Sequence, residues 1–290
     1  MYYQQISEVR SILKVGIDTW IYHPALSIEE ILERIRSHGF KYIEYAYEHF
    51  KTTKEPEKQL KRLIDISTSY DLKPIQIHAP YGNEEYQLGA EDESLRKCAL
   101  KKMTKWLEYA SMLNCEVYVI HVAMSKFSLN RSSIETFEKL VKRNLDYIRR
   151  LARVANDLGI KIAVENPLQK TFGATVTDLI YLNKYTEPEI VGVCLDMGHA
   201  FLHGFDINSM IRELGSIIIA THVHDNDGRS DRHWPPGMGC IDWKSVLEAL
   251  KSIGYDKPLI LEVAGSEDLR MCENRIHLIK AWLEYMKLEL

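Results

Sequence analysis

Six short apolar runs in this sequence each end in a side chain that can hold a metal. QIH ends at His78, VIH at His121, AVE at Glu165, VCLD at Asp196, ATH at His222 and LILE at Glu262. Successive members lie 26 to 44 residues apart, which is the length of one strand plus one helix. A single such residue at a strand end is ordinary loop chemistry. Six in succession are different if the strands converge. Three acids and three imidazoles crowded into one apolar mouth repel one another and desolvate badly. A bound cation is the simplest compensation. Imidazole and carboxylate donors without thiolate suit Zn, Mn, Co or Fe, and a carboxylate-rich subset suits Mg.

The elements that would bring them together read off the hydrophobic pattern. Short β-rich runs occur eight times, at Lys14–Trp20, Lys41–Glu48, Pro74–Pro80, Glu116–Ala123, Lys161–Pro167, Val191–His199, Ile217–Asp227 and Pro258–Val263. Longer amphipathic segments separate them. Ser27 with Glu30 forms a capping box before one helix, and Asp242 starts another. Gly39, Gly159 and Gly254 stand where helices should stop. Eight such units without a hairpin signal predict an α/β fold, a (β/α)8 TIM barrel in a single domain over residues 1–290. Residues 1–13 form an N-terminal extension, in which Ile6, Val9, Ile12 and Leu13 fit a short amphipathic turn. A doubly wound sheet would carry a Gly-rich phosphate turn, and no GxGxxG is present.

Strand parity agrees with convergence. If Glu165 points inward, so does Ala163, while Ile162 and Val164 meet the helices. With Asp196 inward, Val193 and Leu195 face out. With Glu262 inward, Leu259, Leu261 and Val263 face out. With His222 inward, Ala220 and Ile218 follow and Ile219 faces out.

Composition narrows the class. The 290 residues carry 37 basic and 41 acidic side chains, a net charge of -4, which gives no global basic excess for nucleic acid. The five cysteines show no CxxC spacing, so a disulfide framework or thiolate zinc site is not expected and a reducing cytoplasm is. The polar start and the lack of a long apolar run predict a soluble chain that does not engage a membrane. A homo-oligomer is compatible with all of this.

The segments VENP, VGVCLDMGHAFLHG, HVHDNDGRSDRHWPPGMGCIDW and PLILEV together resemble the xylose-isomerase-like TIM barrel superfamily, from strand one to helix eight. That superfamily includes sugar isomerases, ketose 3-epimerases and the endonuclease IV branch. The resemblance implies a common metal site at Glu165, Asp196, His222 and Glu262. It also implies that His199, in Asp196-Met197-Gly198-His199, faces the substrate. The endonuclease branch holds three zinc ions, and its further ligands match His78, His121, His199, Asp231 and His233. Strand one, VGIDTWIYHP, lacks that branch's opening, and NPLQKTFGAT after Glu165 lacks its Gly-rich turn. The resemblance therefore favours a small sugar, keto-sugar or sugar phosphate as substrate, with one to three divalent ions (Zn, Mn, Co or Mg). An endonuclease IV-like zinc phosphodiesterase acting on abasic DNA is the alternative.

Isomerisation and epimerisation both take a proton from carbon beside a carbonyl, through a metal-stabilised enediolate. Glu165 and Glu262 are expected to be the acid/base pair as well as ligands, with Asp196 and His222 holding the metal. His199 is expected to bond a substrate oxygen or a further metal. Arg229 or Arg232 would bind a substrate phosphate or carboxylate. Trp20 and Trp234, with Pro235 and Pro236, would wall the pocket. Glu44 and Glu48 would face or cap the mouth, and His224 would back His222.

Overall fold

The computed structural model describes residues 13–51, 55–124 and 134–290. The amphipathic turn expected at Ile6, Val9 and Ile12 lies outside the described residues. Eight parallel strands close on themselves: β1 (Val15–Asp18), β2 (Tyr42–Tyr45), β3 (Lys73–His78), β4 (Val117–Ile120), β5 (Lys161–Glu165), β6 (Val191–Asp196), β7 (Ile218–Val223) and β8 (Leu259–Leu261). Closure is direct, because β1 pairs with both β2 and β8. The chain is thus a (β/α)8 barrel.

Around it run α1 (Ile28–Ser37), α2 (Pro56–Ser69), α3 (Asn83–Leu88), α4 (Glu93–Met112), α5 (Ile134–Leu158), α6 (Val176–Tyr185), α7 (Met197–Leu202), α8 (Ile207–Leu214), α9 (Trp243–Ser252) and α10 (Leu269–Met286). Local chemistry sets their ends. Ser27 and Glu30 make the reciprocal capping box before α1, and the Asp242 side chain accepts from Ser245 N before α9. Gly39 follows α1 at φ +92°, a left-handed conformation glycine adopts without strain. Among the described residues no helix is long and apolar enough to cross a membrane.

The helix-facing side of the sheet merges with the helices into one apolar shell, which includes Ile162, Val164, Val193, Leu195, Leu259, Leu261 and Val263. Inside the barrel, Val119, Ala163, Cys194 and Ala220 form a smaller layer. These small side chains close the floor of the mouth, and the strand-end acids and imidazoles stand above them. One parity expectation is corrected. Ile219 packs on the interior layer, whereas Ile218 belongs to the outer shell. The cause is a register shift between Val193 and Cys194, opposite Ile218 and Ala220. Gly192 makes room: a Cβ there would lie 2.7 Å from Ile219 Cγ1.

Candidate metal centre

All six strand-end residues meet at the C-terminal mouth, joined by His199, Asp231 and His233. Their donor atoms fall into three groups, two of which share Glu165, each with its members within 4.8 Å of one another. The first is His78, His121 and Glu165. The second is Glu165, Asp196, His222 and Glu262. The third is His199, Asp231 and His233, with His224 beside them. Glu165 belongs to two groups, with one oxygen 3.3 Å from His78 Nε2 and 3.0 Å from His121 Nε2. Its other oxygen lies 3.4 Å from His222 Nδ1.

Each of the five expected histidines is anchored through one ring nitrogen and offers the other to the mouth. His78 Nδ1–H donates to the Ala79 carbonyl at 2.8 Å, and His199 Nδ1–H to the Asn166 carbonyl at 3.0 Å. His233 Nδ1–H donates to the Glu262 carbonyl at 3.0 Å. His222 Nε2 pairs with Glu44 at 3.0 Å, and His121 Nδ1 with Glu85. Anchoring one nitrogen on a carbonyl or carboxylate fixes the tautomer and aims the other nitrogen's lone pair, which is how metal-binding imidazoles are held.

The polar accounting also asks for a cation. His222 Nδ1, Glu262 Oε2, His224 Nδ1 and Asp231 Oδ1 are buried without a hydrogen-bond partner. Buried polar atoms are seldom left so. Three of them, His222 Nδ1, Glu262 Oε2 and Asp231 Oδ1, belong to residues of the donor groups and fit one or more divalent ions. The residues present therefore suit the group.

Without a cation, protons take its place. Burial raises the Glu165 carboxyl, but the imidazoles of His222 and His121 outweigh it and hold that carboxyl well below the usual range. Glu262 goes the other way. Burial, reinforced by Glu165, Asp196 and Asp18 and opposed by His222, pushes its carboxyl well above the usual value. Burial opposes charge on His199 as well, yet Asp196, Asp231 and Glu165 raise it to about 9.

Several expected residues fall elsewhere. Arg229 and Arg232 are exposed, and neither lines the cavity over the centre. Arg232 lies over the Trp234 ring and pairs with Asp227 at 3.5 Å, and Trp234 does not line the cavity either. Trp20 does line the cavity, its ring edge-on to His233 at 5.0 Å. Glu48 lines it too, while Glu44 lies beneath, bonded to Gln76 and His222. His224 bonds Asp196 rather than His222, through Nε2 at 3.1 Å, and stacks on His233 with centroids 3.9 Å apart. Parallel rings that close cannot both aim in-plane lone pairs at one ion, so we read His224 as a support for Asp196 and His233.

Three contributors were not anticipated. Glu85 comes from α3, and nothing in the sequence ties it to His121. Asp225 accepts from the amides of Gly237 and Ile241 and from Trp243 Nε1, which folds the loop carrying Asp231 and His233. Asp18 was legible, since it ends β1 with interior parity.

The cavity above these groups encloses about 310 Å³. Trp20, Tyr81, Tyr86 and Leu168 form its outer wall.

The family model described as xylose isomerase-like TIM barrel matches residues 32–288, and the chain belongs to that family. The proteins similar to this chain include a probable endonuclease and an epimerase. A probable endonuclease 4 of Sulfurihydrogenibium sp. is 26% identical over 79% of this chain and 84% of its own length. The L-ribulose-5-phosphate 3-epimerase UlaE of Salmonella paratyphi A is 26% identical over 87% of this chain and 88% of its own. Among solved structures, a D-tagatose 3-epimerase-like protein superposes with a TM-score of 0.77 at 25% identity, covering 95% of this chain and 98% of that one.

Proposed function

We propose that this chain is a divalent-metal-dependent epimerase or isomerase of a small ketose. The observation that carries the reading is the pairing of Glu165 and Glu262. Both contribute an oxygen to one donor group, both line the same cavity, and they come from β5 and from the end of β8.

A divalent ion in the Glu165, Asp196, His222 and Glu262 group would supply Lewis-acid polarisation of a carbonyl and the hydroxyl beside it. The protein does the rest. Glu165, ionised, takes the proton from the carbon beside the carbonyl. Glu262 carries a proton and returns it from the other side of the bound sugar. Return to the opposite face of the same carbon gives the epimer, and return to the neighbouring carbon gives the isomer. His199, anchored on Asn166, turns Nε2 toward the cavity, where a substrate oxygen fits. Trp20 and Tyr81 exclude water from the intermediate. The cavity volume suits a monosaccharide, and the likeness to the two epimerases supports the same chemistry.

Hydrolysis of a phosphodiester is the second reading, and one observation favours it. All nine residues matching the endonuclease ligand pattern stand together in three groups. The two readings separate in one experiment. The Mn-loaded protein is incubated with ketopentoses and ketohexoses in D2O, and in parallel with an abasic duplex. Deuterium at the carbon beside the carbonyl, lost in Glu165→Gln, supports the proposal. Cleaved duplex without deuterium uptake refutes it.

A further inference from the structure

A second recess lies outside the barrel, between α4 and α5 and against the end of α3. It encloses about 250 Å³ and shares no lining residue with the cavity at the mouth. Five cations line it: Arg96 and Lys97 from α4, and Lys142, Arg143 and Arg150 from α5. Two acids, Glu93 and Asp146, stand among them. A basic excess gathered in one recess is notable in a chain whose net charge is -4.

The acids do not account for all the cations. Glu93 pairs with Lys97 at 2.8 Å and Asp146 with Arg150 at 2.9 Å, each four residues along its own helix. Exposed pairs of this kind are weak and yield to a stronger anion. Glu91, which does not line the recess, takes Arg143 at 2.9 Å. Arg96 and Lys142 have no carboxylate partner among the described residues. Lys142 makes no hydrogen bond among them either. Arg96 donates Nη1 to the carbonyls of Ala90 and Glu91, each at 2.7 Å, and Arg143 donates Nη1 to the Gly89 carbonyl at 2.7 Å. The turn between α3 and α4 thus fixes both arginines by one nitrogen. The Nε and Nη2 of Arg96 and the Nε of Arg143 have no partner among the described residues. Guanidinium groups held in place lose little freedom when they take an oxyanion.

Beneath the charges the lining is apolar. Leu88 and Tyr147 are buried, and Leu100 packs on the core. The Tyr147 hydroxyl is engaged by the His121 carbonyl, so its ring is what it offers a ligand. The volume falls below that of sites for drug-sized ligands and suits one phosphate with a single ring. A nucleic-acid duplex is too wide to enter.

We propose that this recess binds a small phosphate monoester with an apolar or aromatic body. The dianion lies among Arg96, Lys142 and Arg143, and the body rests on Leu88, Leu100 and Tyr147. The site stands whatever reaction the mouth performs.

Calorimetric titration of the Mn-loaded full-length protein with phenyl phosphate tests it, beside inorganic phosphate and phenol. Phenyl phosphate should bind at least severalfold more tightly than inorganic phosphate, and phenol should give no measurable heat. Lys142→Ala should weaken phenyl phosphate about tenfold, and Lys142→Glu should weaken it further. Lys142 is exposed and unpaired, so metal content and Tm should hold in both variants. Glu165→Gln, at the mouth, should leave phenyl phosphate affinity as it was. Affinity that survives both Lys142 variants, or that disappears in Glu165→Gln, would assign the phosphate to the mouth and overturn the proposal. Inorganic phosphate binding as tightly as the ester, no binding of either, or displacement of phenyl phosphate by a short DNA duplex would overturn it too.

Discussion

Gly198→Ala should distort the third donor group without altering any ligand. A Cβ built on Gly198 lies 2.0 Å from His224 Cε1 and 2.5 Å from each nitrogen of that ring. Ordinary contact begins near 3.4 Å, so the ring must retreat by about 1.4 Å. It has nowhere to go. Its other side stacks on His233 at 3.9 Å, Nε2 is held by Asp196 at 3.1 Å, and the residue is fully buried. Nothing in the backbone objects to alanine, because Gly198 is helical and not at positive φ. Overpacking of this kind costs about 1–3 kcal/mol, and better helix propensity returns somewhat under 1 kcal/mol. A net loss of about 1–2 kcal/mol corresponds to a fall in Tm of roughly 2–6 °C for a chain of this size. Displacing His224 also pushes His233 and Asp196 off their anchors, so the variant should bind less metal per chain. The assay pairs thermal unfolding with elemental analysis after dialysis against Zn2+. Parental metal content together with a Tm within a degree of the parent would refute the packing argument.

Other perturbations follow from the same contacts. Glu85→Gln removes the carboxylate behind His121, and cation affinity at the His78, His121 and Glu165 group should fall about 10–100-fold by competition with a chromogenic chelator. Stripping metal with a chelator should lower Tm, and Zn2+ or Mn2+ at a hundredfold excess over Kd should restore about 2.7 kcal/mol per site. Next to Glu48, His49 is partly exposed, but its Nε2 is shielded and unpartnered, and burial with His23 beside it lowers the ring to about 3. The folded chain thus binds fewer protons than the unfolded chain between about pH 6.5 and 3. Stability from this group is complete above pH 6.5 and fades as pH falls, by about 2 kcal/mol at pH 5. Urea titrations of His49→Gln should show a shallower acid limb by that amount, and an unchanged limb would contradict the assignment.

Most of the centre was legible because its signal is periodic. His78, His121, Glu165, Asp196, His222 and Glu262 each close an apolar run, and a closed sheet turns sequence spacing into spatial convergence. The interior parity of Ala163 and Ala220 followed from the same alternation. What was hidden is what does not repeat. Glu85 reaches His121 only because a short helix after β3 folds back across the mouth. Carbonyl anchors such as Asn166 and Glu262 carry no side-chain signature. The reversal of Ile218 and Ile219 required a register shift that alternation cannot express. Arg229 and Arg232 had the right chemistry for an anion, yet the loop that Asp225 ties down directs them to solvent.

Crystals of the protein grown with Mn2+ and measured at the manganese edge ask the central question directly. The account predicts an anomalous peak within about 2.0–2.4 Å of oxygens from Glu165, Asp196 and Glu262 and of His222 Nδ1. A map in which manganese binds elsewhere, with those four side chains paired only to one another, would contradict it.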